Sequence, residues 1–310
     1  MKICFIGLGS IGTRHLRNIA QLLNQRNVSY RIDALRRGNA TIPDDVAVLL
    51  HKEYREVDQL PDDYDIIFIT NPTSLHYETV QSVMDKTKHM FIEKPVFEAC
   101  NYNMEHLSFK DKGVYYVACP LRYSPVIQYI RELIKDEKVL SVRAISSSYL
   151  PDWRKGVDYR KVYSAKRELG GGVSLDLIHE WDYITYLFGM PEKVYNINGH
   201  YSELEIDSDD ISIYMAKYKD KLAEIHVDYI GRKTTRKLEL YCEEDVVSGD
   251  MITNTIHISG KYEKEIVLEK EDIYINEMNY FLDIIFNKAD NSNDINHAYQ
   301  VLELAIANTQ

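Results

Sequence analysis

Short apolar runs and amphipathic segments alternate along the first third of the chain. The runs are rich in Ile, Val, Phe and Tyr, which is typical of strands covered on both faces. We predict such strands at residues 2–6, 30–35, 65–70, 89–92 and 114–119. Helical spacing of apolar residues is found between strands, at residues 11–23, 80–84 and 102–107. This repetition predicts a doubly wound α/β domain with a parallel sheet.

The pattern changes after Pro120. From residue 193 to residue 270, strands with alternating apolar and polar positions follow one another without helices, which predicts an antiparallel sheet. Further segments are predicted as a helix at 124–134, a strand at 139–150 and helices at 271–286 and 295–307. We therefore expect a first domain in residues 1–120 and a second in 121–295, with a helix at 296–310 that packs back on the first domain.

Composition and charge narrow the class of protein. A chain of 310 residues can form two cores, and its net charge of −11 argues against nucleic acid or a membrane surface as a partner. No apolar run reaches the roughly 18–20 residues of a membrane span, and the chain begins directly with a strand pattern rather than a signal peptide. We expect a cytoplasmic protein. Four scattered cysteines without a CxxC pair predict neither a metal site nor a disulfide framework.

The stretch "GLGSIG" follows the first strand directly and opens a helix. Gly7 permits a tight turn, Gly9 lets a pyrophosphate approach the backbone, and Gly12 allows the helix to pack closely on the strand. The helix N-terminus, at Ser10 and Ile11, offers free N–H groups to phosphates. The first domain is therefore predicted to be a dinucleotide-binding Rossmann domain.

The end of the second strand bears on the choice between NADP and NAD. Arg36 and Arg37 stand at this end, where two guanidinium groups suit a 2′-phosphate, so NADP is favoured. In the alternative, a shifted register makes Asp33 the residue that binds the ribose, and NAD is the cofactor.

The predicted strand at residues 65–70 runs into the stretch "ITNPTSLH", which forms a loop at the carboxyl edge of the sheet. From this loop we expect contacts to the cofactor by Asn71, Pro72 and His76.

A glycine triplet at 170–172 opens an apolar helical stretch that carries several ionisable residues. Asp176, His179, Glu180 and Asp182 lie within it. Ionisable groups in a buried helix are costly unless they are paired or used in chemistry. The stretch is therefore a candidate wall of an active site.

Four features together resemble the glucose-fructose oxidoreductase / inositol dehydrogenase / MocA family. They are the GLGSIG turn, the proline-containing loop, "EKPV" after a strand, and a glycine-rich loop that leads to a helix with Asp and His, and they occur in the family's order over nearly the whole chain. The resemblance implies a Rossmann domain followed by an α+β domain with a large open, mostly antiparallel sheet. It also implies hydride transfer between a nicotinamide cofactor and a carbon bearing a hydroxyl or carbonyl, mostly on sugars and polyols.

The resemblance implies roles for individual residues. Lys94 matches the family's catalytic lysine, and Asp176 with a nearby His completes the polar set; Glu93 and Lys94 also border the cofactor. Many members have the His four residues after the Asp, whereas here Glu180 is four after Asp176 and His179 is three after. Helical-wheel geometry and intrinsic pKa favour His179 as the partner of Lys94, while the shifted spacing keeps Glu180 open as the alternative partner. Glu180 is also a candidate substrate-binding residue.

A basic and aromatic loop, residues 149–172, precedes this helix in an otherwise acidic chain. Arg and Lys bind phosphate or carboxylate, and Tyr and Trp stack on rings. We expect substrate contacts from this loop and from the "CPLRYSPV" segment, namely by Trp153, Arg154, Tyr159, Arg160, Arg122 and Tyr123. The alternative is a surface loop that packs against a neighbouring subunit. Members with a similar loop resemble enzymes of surface-polysaccharide or activated-sugar biosynthesis.

Taken together, the sequence predicts an NAD(P)-dependent oxidoreductase acting on a sugar or sugar derivative, with an anionic or nucleotide-activated sugar as a candidate substrate. The predicted assembly is a homodimer or homotetramer through the open sheet. Two alternatives remain: a non-catalytic sensor of cofactor redox state, and a reductase of a non-sugar carbonyl or imine.

Overall fold

The computed structural model describes residues 1–38, 41–260 and 263–307. They form two units: Met1–Ala118 with Tyr274–Tyr299, and Cys119–Ile273 with the chain from Gln300 on. The sequence pattern places residues up to 295 in the second domain, whereas in the structure Tyr274–Tyr299 groups with the first unit. The reason is packing, because the ring of Phe281 lies 5.2 Å from that of Phe91 in the first sheet.

Six parallel strands form the sheet of the first unit, in the order β3-β2-β1-β4-β5-β6. The strands are β1 (Lys2–Ile6), β2 (Arg31–Leu35), β3 (Leu50–Tyr54), β4 (Tyr64–Ile69), β5 (Thr87–Ile92) and β6 (Tyr115–Val117). The helices after the first, second and fourth strands are α1 (Ser10–Gln25), α2 (Asp44–Ala47) and α3 (His76–Val83). This order and the parallel pairing confirm the predicted doubly wound domain.

The prediction of a helix at residues 102–107 is wrong. Only a single 3₁₀ turn forms there, Met104–His106, and Leu107 after it is extended. The side chain of Asn103 accepts a hydrogen bond from the backbone N–H of Glu105. Such local bonds compete with helix formation, so an apolar spacing over six residues is a weak helix signal here.

Eight strands form the sheet of the second unit, in the order β14-β13-β12-β11-β7-β10-β9-β8. The strands are β7 (Val139–Tyr149), β8 (Lys193–Gly199), β9 (Ile211–Lys217), β10 (Leu222–Asp228), β11 (Ile230–Cys242), β12 (Val246–Asp250), β13 (Thr255–Ser259) and β14 (Lys264–Val267). Neighbouring strands are antiparallel except β7 and β10, which are parallel. The prediction of a mostly antiparallel sheet is confirmed.

The remaining helices are α4 (Pro125–Leu133), α5 (Val173–Asp176), α6 (His179–Phe188), α7 (Ile273–Ile285) and α8 (Ile295–Ile306). No helix within the described residues is both long and apolar enough to cross a membrane. The cytoplasmic location stays a prediction.

One face of β8 and β9 carries large apolar side chains that the chain itself leaves exposed. Tyr195 pairs with Met215, and Ile197 pairs with Ile213, so the four side chains lie side by side. Ile197 is 70% exposed and Met215 is 60% exposed. Apolar patches of this kind are typical of interaction surfaces. The homodimer or homotetramer through this sheet stays a prediction.

Candidate functional site

The turn between β1 and α1 is shaped for a close approach of backbone and ligand. Gly7 has a φ of +91°, and a Cβ there would lie 2.8 Å from the backbone nitrogen of Asn71. A Cβ on Gly12 would lie 2.5 Å from the carbonyl oxygen of Gly7. In contrast, no described atom lies within 4 Å of a Cβ built on Gly9, which is exposed beside Ser10 at the start of the helix. The open space over Gly9 fits a dinucleotide pyrophosphate.

The carboxyl end of β2 carries arginine. The pairing of β1 with β2 runs from Lys2–Arg31 to Ile6–Leu35, so Arg36 is the first residue beyond the strand. Arg36 Nη1 donates to Glu53 Oε2 at 3.2 Å, and the neighbouring Arg37 is exposed.

The register rules out the alternative in which Asp33 binds the ribose. Asp33 lies inside β2, beside Cys4 on β1, and has no exposed surface. Its Oδ2 accepts a hydrogen bond from the hydroxyl of Tyr64 at 2.9 Å. Asp33 is therefore a buried polar residue of the sheet and does not reach its edge.

His76 connects two loops at the carboxyl edge of the sheet. Its Nε2 lies 3.0 Å from the carbonyl oxygen of Asn71, and its Nδ1 lies 3.1 Å from the carbonyl oxygens of Pro95 and Val96. Burial lowers the pKa of His76, so the ring is neutral at pH 7 and donates to one side at a time. His76 thus braces the loop of Asn71 and the exposed Pro72 against the EKP segment.

Lys94 is the second residue after β5, and the residue between them, Glu93, is anchored in the core. The carboxylate of Glu93 is hydrogen-bonded to His15 Nε2 at 2.5 Å, and Glu93 Oε2 accepts the backbone N–H of Lys94 at 3.2 Å. Burial opposes ionisation of Glu93, but the hydrogen bond and electrostatic interaction with His15 outweigh it and lower the pKa of Glu93. The start of the EKP segment is therefore fixed to α1, and the Lys94 side chain is half-buried.

In the second unit, the glycine triplet makes the turn that leads into α5. Gly170 and Gly172 have φ values of +82° and +127°, which glycine adopts without strain. A Cβ on Gly172 would lie 2.1 Å from a carboxylate oxygen of Asp209. Asp209 Oδ2 accepts hydrogen bonds from both the backbone nitrogen and the hydroxyl of Ser174. Asp209, which the sequence pattern does not single out, thus holds the turn.

The sequence predicts a single helix after the triplet. This prediction is wrong, because the chain forms two helices there, α5 and α6. Leu177 leaves the helical conformation, with φ −100° and ψ 28°. Asp176 ends the first helix and His179 begins the second. The helical-wheel relation between these two residues therefore does not apply across the break.

Asp176 is buried and held by a tyrosine. The hydroxyl of Tyr229 donates to Asp176 Oδ2 at 2.5 Å. Asp176 is 4% exposed and Tyr229 is fully buried. The carboxylate is thus fixed in one orientation.

His179 and Glu180 differ in their surroundings. Between residues 171 and 185, His179 alone is partly exposed. Glu180 is fully buried, and Arg236 Nε lies 2.9 Å from its Oε1, so the two form an ion pair. The geometry leaves His179 the better placed of the two to meet a ligand.

Arg122 is part of a buried ion pair with α6. Its Nε and Nη2 donate to the two carboxylate oxygens of Asp182 at 3.0 and 2.8 Å, and the Tyr186 ring lies 4.8 Å from its guanidinium carbon. Arg122 is 1% exposed. Its neighbour Tyr123 is half-buried in the 3₁₀ turn Pro120–Tyr123. The pair therefore fastens this turn to α6.

The basic and aromatic loop forms a pocket of its own within the second unit. Trp153, Arg154 and Tyr159 line it together with apolar side chains. Arg160 does not line this pocket; it pairs with Asp158 at 2.8 Å and with Glu205 at 3.2 Å. Part of the loop's positive charge is therefore neutralised within the loop and its neighbourhood.

Three residues that hold the candidate site were not found from the sequence. His15, Tyr229 and Arg236 contact Glu93, Asp176 and Glu180, and each lies far from its partner in the chain. His15 stands three residues after the glycine motif on the buried side of α1, which is the one local signal for any of them.

Comparison with known proteins agrees with these features. Residues 1–116 match a family model described as "Oxidoreductase family, NAD-binding Rossmann fold", and residues 127–248 match the GFO/IDH/MocA C-terminal domain. The fold and the glycine turn thus define an NAD-binding oxidoreductase. The chain belongs to the GFO/IDH/MocA family, which confirms the resemblance seen in the sequence.

Individual relatives are distant. The uncharacterized oxidoreductase YrbE of Bacillus subtilis is 25% identical to this chain over a match that covers 59% of this chain. The same match spans 52% of the length of YrbE. UDP-N-acetylglucosamine 3-dehydrogenase of Acidithiobacillus ferrooxidans is 23% identical over 92% of this chain and 88% of its own. Its solved structure, GnnA, matches with a TM-score of 0.78 at 21% identity, covering 99% of this chain and 95% of that one. The WlbA dehydrogenase of Bordetella pertussis, in complex with NADH and UDP-GlcNAcA, matches with a TM-score of 0.78 at 15% identity, over 98% and 94% of the two chains.

We expect the loss of the ion pair between Arg122 and Asp182 to lower the free energy of unfolding strongly. Asp182→Asn leaves the guanidinium buried without a counter-charge, which costs about 3–5 kcal/mol of the free energy of unfolding. Chemical denaturation followed by circular dichroism measures this loss. The matched control is Glu243→Gln, which removes the charge from an exposed pair with Lys138 and should change stability little. Equal effects of the two changes would contradict a structural role for Arg122.

Proposed function

We propose that this oxidoreductase transfers hydride between a nicotinamide cofactor and a hydroxyl or carbonyl carbon of a sugar or sugar derivative. The observation that carries the proposal is the buried Asp176 of the second unit, which the hydroxyl of Tyr229 holds three residues before the partly exposed His179. In the first unit, Lys94 follows a strand at the carboxyl edge of the sheet, where ligands of such sheets bind. We propose Lys94, Asp176 and His179 as the catalytic residues.

The glycine turn fits a dinucleotide, because the space over Gly9 is open and the N-terminus of α1 is directed to it. The bound cofactor supplies or accepts the hydride. In oxidation, the substrate hydroxyl loses its proton to the neutral amine of Lys94 as its carbon loses hydride. In reduction, the protonated amine returns that proton to the carbonyl oxygen. His179 assists this transfer, and Asp176 orients the groups.

The substrate we favour is an anionic or nucleotide-linked sugar. The loop that carries Trp153, Arg154 and Tyr159 combines aromatic rings with a guanidinium group, and these residue types bind rings that bear phosphate or carboxylate. The relative from Acidithiobacillus ferrooxidans is named for a nucleotide sugar, which supports this class.

The cofactor we favour is NADP. Arg36 and Arg37 stand directly beyond β2, where the 2′-phosphate of NADP lies in this fold. NAD is the second candidate, because Glu53 lies 3.2 Å from the Arg36 guanidinium and partly neutralises it.

Removal of the Lys94 amine tests the proposed function. Lys94→Met should lower kcat by about 10²–10⁴-fold, the usual contribution of a general acid or base, while the cofactor still binds. Steady-state kinetics and cofactor titration measure the two effects. Lys88→Met is the control, because Lys88 lies on β5, the strand before Lys94, but is exposed and paired with Asp65. Normal turnover by Lys94→Met would overturn the proposal.

Removal of the Arg36 guanidinium tests the cofactor choice. Arg36→Ala should weaken NADP binding by about 10–100-fold, which is the loss of a charged hydrogen bond, and should leave NAD binding unchanged. Fluorescence titration with both cofactors measures the affinities. Arg26→Ala is the control, because Arg26 stands at the far end of α1 and pairs with Asp283. A wild-type preference for NAD together with a neutral Arg36→Ala would contradict the choice of NADP.

A further inference from the structure

Tyr229 occupies a rigid position between β10 and β11. Its backbone N–H donates to the carbonyl oxygen of Asp210 at 2.9 Å, and its own carbonyl accepts the N–H of Leu150 at 3.0 Å. The side chain has no exposed surface. Both the backbone and the ring are therefore fixed by elements that surround them, and the hydroxyl has a defined position.

That hydroxyl meets the carboxylate of Asp176, 53 residues earlier in the chain. Burial raises the pKa of Tyr229 well above the usual tyrosine value. The phenol therefore remains a protonated donor at physiological pH, and it holds the carboxylate of Asp176 in place.

Trp153 packs against the Tyr229 ring. The two rings meet edge to face, with centroids 5.2 Å apart and planes at 89°, a favoured geometry for aromatic pairs. Trp153 Nε1 also donates to the hydroxyl of Ser148 at 2.9 Å. A residue that lines the loop pocket thus packs directly on the tyrosine that holds Asp176.

We propose that Tyr229 is a positioning residue that fixes the Asp176 carboxylate for catalysis, with Trp153 as the contact that joins this pair to the pocket. This inference rests on the proposed catalytic role of Asp176. Tyr229 is fully buried, so its effect on the reaction passes through Asp176.

The test is a double-mutant cycle between Tyr229→Phe and Asp176→Asn. In the wild-type background, Tyr229→Phe should lower kcat about tenfold, which corresponds to one hydrogen bond to a charged group, with little change in KM. In the Asp176→Asn background, the same substitution should change kcat by less than about twofold, because the carboxylate on which it acts is gone. Steady-state kinetics of the full-length protein gives all four values.

Tyr64→Phe is the matched control. Tyr64 is also a buried tyrosine whose hydroxyl donates to a buried aspartate, Asp33, but it lies in the core of the first sheet. It should lower the thermal unfolding midpoint as Tyr229→Phe does and leave kcat unchanged. Trp153→Phe, which changes the partly exposed ring that packs on Tyr229, is the second variant if Tyr229→Phe does not fold, and its effect on kcat should show the same dependence on Asp176.

The outcomes separate the two claims. If Asp176→Asn turns over normally, the catalytic role of Asp176 fails and this inference fails with it. If Asp176→Asn is impaired but Tyr229→Phe, or Trp153→Phe in its place, keeps wild-type kcat, only the inference is overturned. Equal losses for the variant in both backgrounds would also overturn it, because its effect would then not pass through Asp176.

Discussion

A carboxylate that folding removes from water needs a cation or a hydrogen-bond donor, and this requirement organises both units. Glu93 meets His15, Asp182 meets Arg122, and Glu180 meets Arg236. An unpaired buried charge costs several kcal/mol, so each of these partners is fixed along with its acid. The pairs also connect elements that are distant in the chain, such as α1 with the EKP segment and β11 with α6.

Pairing separates the ionisable residues that support the fold from those that we propose for catalysis. The ion pair with Arg236 engages Glu180, which leaves the partly exposed His179 as the candidate proton carrier of that helix. Asp176 differs from these acids in that its carboxylate accepts a hydrogen bond from a neutral phenol, the hydroxyl of Tyr229.

The sequence predicts features that depend on neighbours in the chain and misses those that depend on distant ones. Alternating strands and helices, and the glycine turn, are local patterns, and the structure and the family match confirm them. The break between α5 and α6 was missed because it depends on one residue, Leu177, leaving the helical conformation. The burial of Arg122 was missed because its partner Asp182 is 60 residues away. A basic side chain beside a predicted site resembles a substrate ligand until its counter-charge is known.

The central claim is hydride transfer to or from a sugar carbon, and the absorbance of reduced nicotinamide tests it most directly. The purified protein is mixed with NADP or NAD, in oxidised or reduced form, and with a panel of free and nucleotide-linked sugars. The account predicts cofactor turnover in step with sugar conversion, faster with NADP than with NAD. Cofactor binding without turnover on any sugar, or turnover confined to non-sugar carbonyls or imines, would contradict it.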